Sequence, residues 1–288
     1  MIFTTLENKN KKTNISLKAG SPPALGGIFR KILKRLITVV FVVAFWYIVW
    51  YALAAYIDKE VILPYPNSVL LKLKILALSS EFWLYCGSTI LRILSGIFFG
   101  SIFGILLAFV IFSSNTVRTL VSPLLSAVKA TPVASFIIAA LFWLSRGEVP
   151  TFISFLIVLP VICDSVYTGI KNADNDLLEL AAVYKFSFFK RLRYIRIPSA
   201  IPYFLSALNT SIGMAWKAGV AAEVLCTPQN SIGKELYSTK VYMETADMFA
   251  WTLVVILLSI IFEKISVGLV KKGLKKYTHI KKENTDEA

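Results

Sequence analysis

Glu179–Phe204 reads ELAAVYKFSFFKRLRYIRIPSAIPYF, a polar interruption between two long apolar blocks. A charged stretch in such a place is ordinarily a solvated loop, but this one keeps helical apolar spacing. Asp176, just upstream, is placed to cap a first turn, with Glu179 three residues on reaching back to a free backbone N–H. Leu177, Ala181, Tyr184 and Phe188 then fall on one helical stripe. Lys190, Arg191, Arg193 and Arg196 follow, and Pro198 is expected to stop the helix because it has no N–H to donate. A short helix with an apolar face on the aqueous side of a membrane requires a partner groove.

The rest of the chain supplies that membrane. Of 288 residues, 56% are hydrophobic and only 17% charged, a pairing that soluble domains rarely combine. A net charge of +14 could suggest nucleic acid, but the basic residues sit at the ends of apolar runs, the pattern that orients a membrane protein. Cys86, Cys163 and Cys226 are too few and too scattered for a disulfide framework or a metal site. The basic residues 1–35 run into a long span with no small-residue cleavage pattern, unlike a removable signal peptide.

Six spans are expected. Leu36–Ile57 is 22 residues without a charge, about 33 Å as a helix. Asp58–Glu81 reads as an external loop followed by a surface helix. Gly87–Phe112 is the second span, where Gly96, Gly100 and Gly104 recur every fourth residue and form a flat, close-packing face. Val117–Leu144 is a third, irregular span interrupted at Pro132. Val149–Ile170, Ser199–Leu225 and Met248–Val270 complete the set. With the N-terminus cytoplasmic, 21 of the 31 Lys and Arg fall on the cytoplasmic side and 6 on the other. That excess predicts N-in/C-in topology and a cytoplasmic position for the 171–198 loop. Residues 1–35 and 271–288 are then basic cytoplasmic tails around a transmembrane domain, 36–270.

The 179–204 stretch resembles the cytoplasmic signature loop, or EAA loop, of ATP-binding-cassette (ABC) importer permeases. In that pattern Glu-Ala-Ala is followed by a Gly four residues after the second Ala, and by Leu-Pro with its Pro thirteen residues beyond the Gly. Glu179, Ala181 and Pro198 match, and Pro202 matches a second proline found in one branch. Ile197 replaces the Leu, Leu180 the first Ala, and Lys185 the Gly. A Gly there permits a break between two short helices; with Lys, either that break survives or one straighter helix runs through. ATPVASFIIAALFW, SIGMAWKAGVAAEVL, LPYPNSVL and TADMFAW are similar to the nitrate, sulfonate and taurine branch, so the resemblance covers most of Leu36–Val270.

That resemblance implies an all-α membrane protein of MetI-like ABC importer permease fold, with six transmembrane helices, in a prokaryotic cell membrane. It also implies a second permease copy, expected as a homodimer, cytoplasmic ATP-binding subunits and an external solute-binding protein. The sequence carries no GxxxxGK[ST] phosphate loop, so ATP would be bound by the partner subunit, with no cofactor or metal in this chain and no enzymatic role. Residues implied for ATPase coupling are Glu179, Ala181, Ala182, Tyr184, Lys185, Phe188 and Pro198. Glu179 would set the helix start, Ala181 would allow close approach, and Tyr184 and Phe188 would fill the groove.

Charges within the spans point to the solute, since each costs about 2.5–3.5 kcal/mol at the bilayer centre on the insertion scale. Arg92, Lys129 and Lys217 against Asp164 and Glu223 suggest a small anionic solute, nitrate-, sulfonate- or taurine-like. Candidate pathway residues are Lys129, Pro132, Trp216, Lys217 and Glu223. Structural readings stand beside these: Lys129 and Arg92 could snorkel to an interface, and Lys217 could neutralise Glu223 of a second copy. Glu263 and Lys264 read as interfacial. Two other readings stay open. One is a vitamin-precursor permease of the same family. The other is an ion- or proton-coupled carrier, which usually shows repeated halves that are not visible here.

Overall fold

The computed structural model describes residues 25–286, and among these every regular element is helical. The stretch before residue 25, which carries four of the eight Lys and Arg of the basic N-terminal tail, lies outside the described residues. Helix α1 (Leu25–Ile57) forms a unit of its own up to Leu53. Its uncharged part, Leu36–Ile57, is the first expected span.

The second unit begins at Ala54. Helix α2 (Pro66–Leu78) is the expected surface helix, started by Pro66 where a missing N–H costs nothing. It packs on α11 (Thr245–Asp286), with Pro66 and Val69 buried, and is tied there by a 2.8 Å Lys72–Asp247 ion pair. Helix α3 (Ser80–Ser113) is capped by the Ser79 hydroxyl, which accepts from the Phe82 N–H at 3.2 Å.

Two close packings build the core. The glycine face of α3 lies on α6 (Val149–Lys171): a β-carbon at Gly100 would sit 2.9 Å from the Phe155 carbonyl, and one at Gly104 2.9 Å from that of Leu159. On its other side α6 meets α9 (Ile197–Cys226), where a β-carbon at Gly169 would sit 2.7 Å from Ala200 Cα. Only the absence of side chains permits such contact, which brings backbone dispersion into play over the whole helix length. Helix α6 is the central element, with half of its apolar stretch buried against 17% for α11.

The irregular third span is two helices, α4 (Asn115–Ala130) and α5 (Val133–Ala140), bent by 103°. Thr131 is extended at φ −80°, ψ 135°, as the residue before Pro132 must be, since the α conformation would clash with the ring. The break therefore falls where the sequence put it. After α9 come a short loop and α10 (Ile232–Val241), a helix the sequence reading passed over.

Among the described residues, four helices can cross a membrane by length and composition, α1, α3, α6 and α11, or five if the bent pair counts as one crossing. Helix α9, the expected fifth span, has 30 residues but falls short in apolarity, because Asn209, Thr210, Lys217 and Glu223 interrupt it.

Candidate functional site

The 171–198 loop folds into a unit with its own small core. Helix α7 (Asn175–Val183) starts at Asp174, whose carboxylate accepts from the Asp176 N–H at 3.0 Å. The cap expected at Asp176 therefore lies two residues earlier, where an extended backbone frees the carboxylate to fold back. Glu179, two turns' reach from that cap, is exposed on the helix and does not set its start.

The helix stops at Lys185, which answers the open question at that position. Lys185 takes φ 51°, the left-handed backbone that favours Gly. The Lys185 N–H donates to Ala182 O at 3.0 Å, and the Phe186 N–H to Ala181 O at 2.8 Å. These are the paired hydrogen bonds of a Schellman C-cap, with Phe186 supplying its usual apolar contact. Phe186 and Leu178 pack with buried Ala173, Ala181 and Ile195. The helix break that Gly commonly provides thus survives with Lys in its place.

A second short helix, α8 (Phe188–Arg191), is capped by Ser187, and the Arg191 Nε donates to Phe186 O at 2.9 Å. Contrary to expectation, the helix does not stop at Pro198 but continues through it. A π turn, Leu192–Arg196, leads straight into α9 with Pro198 as its second residue, and the Ile197 N–H donates to Leu192 O. A widened turn accommodates a proline that would otherwise strike the carbonyl four residues back.

The expected apolar stripe divides in two. Ala181 is 3% exposed and packs inward, so it does not offer close approach to another chain. Leu177, Leu180, Val183, Tyr184, Phe188 and Phe189 remain exposed, Tyr184 at 69% and Val183 at 76%. Ala182 is exposed beside them and is the small residue on that outer face. Lys185 and Lys190 rim it with positive charge.

The intramembrane charges sort into pairs. Glu223, 0% exposed, accepts from Thr89 Oγ1 at 2.8 Å, from Arg92 Nη1 at 3.2 Å and from the Gly233 N–H at 3.4 Å. Arg92 also donates to Gln229 O at 2.9 Å and Asn230 O at 3.3 Å, and the Ile232 N–H donates to Thr89 Oγ1 at 3.1 Å. Thr227 and Asn230 both have left-handed backbones, at φ 48° and 52°. The cluster therefore pins a tightly turned α9–α10 loop onto α3. A buried carboxylate held by three donors is a satisfied structural group. It leaves no role for Lys217 as its neutraliser, and Arg92 does not snorkel.

Lys129, at the end of α4, pairs with Asp164 of α6, and both side chains are about half-exposed. Pro132 stands at the bend just beyond. Trp216 is 1% exposed and packs on Phe262 with ring centroids 4.8 Å apart. Its Nε1 has no hydrogen-bond partner among the described residues. Both Trp216 and Glu223 are thus buried in the bundle. Lys217 is different: it is exposed, and no acidic side chain among the described residues pairs with it. It shares a helical stripe on α9 with Thr210, Met214, Ala221 and Leu225, all exposed.

Comparison with known proteins brings these features together. Residues 100–275 match the family model described as binding-protein-dependent transport system inner membrane component. The taurine transport system permease protein TauC of Escherichia coli is 23% identical over 222 residues, covering 75% of this chain and 80% of the relative. A putative aliphatic sulfonates transport permease protein, SsuC of Bacillus subtilis, is 23% identical over 220 residues, 76% of this chain and 78% of the relative. The glycine betaine transport system permease protein OpuAB, also of Bacillus subtilis, is 24% identical over 186 residues, 64% of this chain and 65% of the relative. Among solved structures, an inward-facing MetNI methionine ABC transporter chain superposes with a TM-score of 0.56 at 13% identity, covering 68% of this chain and 99% of that one.

Proposed function

The chain belongs to the binding-protein-dependent transport system inner membrane component family, and from that premise we propose how its parts divide the work of an ATP-driven importer. It is a multi-pass ABC permease of MetI-like fold in the taurine and sulfonate branch. In our reading two copies form the translocation path in a prokaryotic plasma membrane, with both termini cytoplasmic. Separate ATP-binding subunits drive the cycle, and an external binding protein delivers the solute.

The observation that carries the coupling assignment is the exposed apolar face of α7 and α8. Six large apolar side chains on an aqueous loop, mounted on a folded core, make a knob for a partner's groove. Closure of the ATP-binding pair would draw the knobs of the two copies together and rock the attached helices, a rigid-body form of alternating access. Tyr184, Phe188, Leu180 and Val183 fill the groove in this scheme. Ala182 lets the helix approach closely, and Lys185 sets the turn between α7 and α8. Replacing Leu180 and Tyr184 together with Asp should abolish co-purification of the ATP-binding subunit, while undiminished recovery would overturn the docking assignment.

Lys217 supports an anionic group on the solute. A lysine facing hydrocarbon at span depth costs about 2.5–3.5 kcal/mol, so its stripe on α9 faces a water-filled path or a second copy. Arg92 and Lys129 are already paired, and Lys217, which meets no acidic side chain among the described residues, is placed to meet a sulfonate or carboxylate. The Lys129–Asp164 pair and the Pro132 bend stand beside that path as its remaining polar lining. The relatives' taurine and aliphatic sulfonates carry a sulfonate, and glycine betaine a carboxylate. With taurine, an alkanesulfonate and glycine betaine as probes, Lys217→Met should lower uptake of the accepted solute about tenfold or more. Unchanged uptake would sink the assignment.

A further inference from the structure

We infer that Arg196, through the face of Phe112, carries movement of the 171–198 loop to the cytoplasmic end of α3. The inference rests on the coupling role proposed for that loop. The Arg196 guanidinium lies 4.5 Å from the Phe112 ring centroid, and both side chains are half-buried. A cation over an aromatic face at this range is attracted by the ring quadrupole, more strongly as water is excluded.

Three features make this contact a transmission point. First, the loop moves as one piece. Ala173, Ala181 and Ile195, with Leu178 and Phe186, join the α6–α7 connection, helix α7 and the π turn in one core, and Arg191 bonds to Phe186 O. Second, Arg196 is the last residue of the π turn, where this unit feeds into α9. Third, Phe112 is on the last turn of α3 and packs against the main core of the bundle. A push on the α7–α8 knob therefore reaches α9 through the backbone and α3 through the Arg196–Phe112 contact. Arg118, on the first turn of α4, makes a similar contact 4.9 Å from the Tyr167 ring of α6. That contact joins α4 to α6 and holds the bundle together.

Arg196 is thus a positioning residue, and its loss should separate hydrolysis from movement. The test uses the permease assembled with its ATP-binding subunits and carrying bimane at Ser113→Cys, an exposed position at the end of α3. Arg196→Ala should keep ATP hydrolysis within about twofold, while the ATP-driven bimane signal falls about fivefold or more, the factor carried by one such contact. Phe112→Leu, which keeps an apolar side chain and removes the ring face, should lose the same signal. Arg196→Lys should retain most of it. A full signal in Phe112→Leu, or an Arg196→Lys protein as silent as Arg196→Ala, would overturn the inference. If the Leu180 and Tyr184 variant still binds and drives the ATP-binding subunit, it is instead the docking assignment beneath it that fails.

Discussion

Replacing Lys185 by Gly should tighten the turn between α7 and α8, because its φ of 51° burdens any residue that has a β-carbon. For an L-residue the left-handed conformation costs about 1–2 kcal/mol. Gly removes that cost but loses about 0.5–1 kcal/mol through its greater freedom in the unfolded chain. The net gain is about 0.5–1 kcal/mol, about two- to fivefold in a local opening equilibrium. The loop has its own small core, so it opens locally rather than with the bundle, and global unfolding would miss the effect. Amide hydrogen exchange at residues 185 and 186 reads it directly, since those N–H groups donate to Ala182 O and Ala181 O. After correction for intrinsic rates, exchange should slow about two- to fivefold in Lys185→Gly. It should quicken about fivefold in Lys185→Val, whose branched side chain adds about 1 kcal/mol of strain. Lys185→Asn, which tolerates the left-handed region and removes the charge, should stay near the parent. Equal exchange in the Gly and Val proteins would refute the reasoning, because it would mean that one straight helix runs through this position.

Gly100→Ala should destabilise the bundle by about 1–3 kcal/mol, because its β-carbon would meet Phe155 O and Val158 Cβ, each at 2.9 Å; thermal unfolding in detergent checks this, with Gly87→Ala, which meets nothing, as the neutral control. Arg92→Met should cost about 3–5 kcal/mol by stranding buried Glu223, and adding Glu223→Gln should recover at least about 1 kcal/mol of it in a double-mutant cycle. The Lys72–Asp247 pair is half-exposed at the lysine and contributes at most about 1 kcal/mol. Its hydrogen bond to Asp247 raises the Lys72 pKa above the ordinary 10.5. That contribution is therefore complete below the usual lysine range and fades as pH rises through the raised value. Asp247→Asn should remove the pH dependence in that alkaline window, as followed by melting temperature.

Features repeating within a helical turn were legible in the sequence. Gly96, Gly100 and Gly104 recur every fourth residue and meet α6 as their spacing requires. Pro132 breaks the third span where its ring forbids the α conformation to Thr131. The 171–198 loop lies where the polar interruption put it, and Leu177, Tyr184 and Phe188 of the expected stripe are exposed on its outer face, while Ala181 turns inward. The missed features depend on partners far along the chain. Glu223 and Arg92 are 131 residues apart, and Lys129 and Asp164 are 35 apart, so no periodicity relates them.

The loop shows both kinds of information at once. Its composition and spacing alone established a short apolar knob between two long apolar blocks. Whether that knob would break at Lys185 was decided elsewhere, by a seat for Phe186 among Ala173, Ala181 and Ile195 and by two hydrogen bonds that close the helix end. A lysine has no preference for φ 51°, and it adopts that backbone because the packing of its neighbours outweighs about 1–2 kcal/mol of local strain. Sequence determined the long apolar helices and the helical spacing of the loop, since both follow from contacts within one turn. Tertiary structure decided which charges are satisfied and where the loop bends, since each depends on groups brought together only by packing.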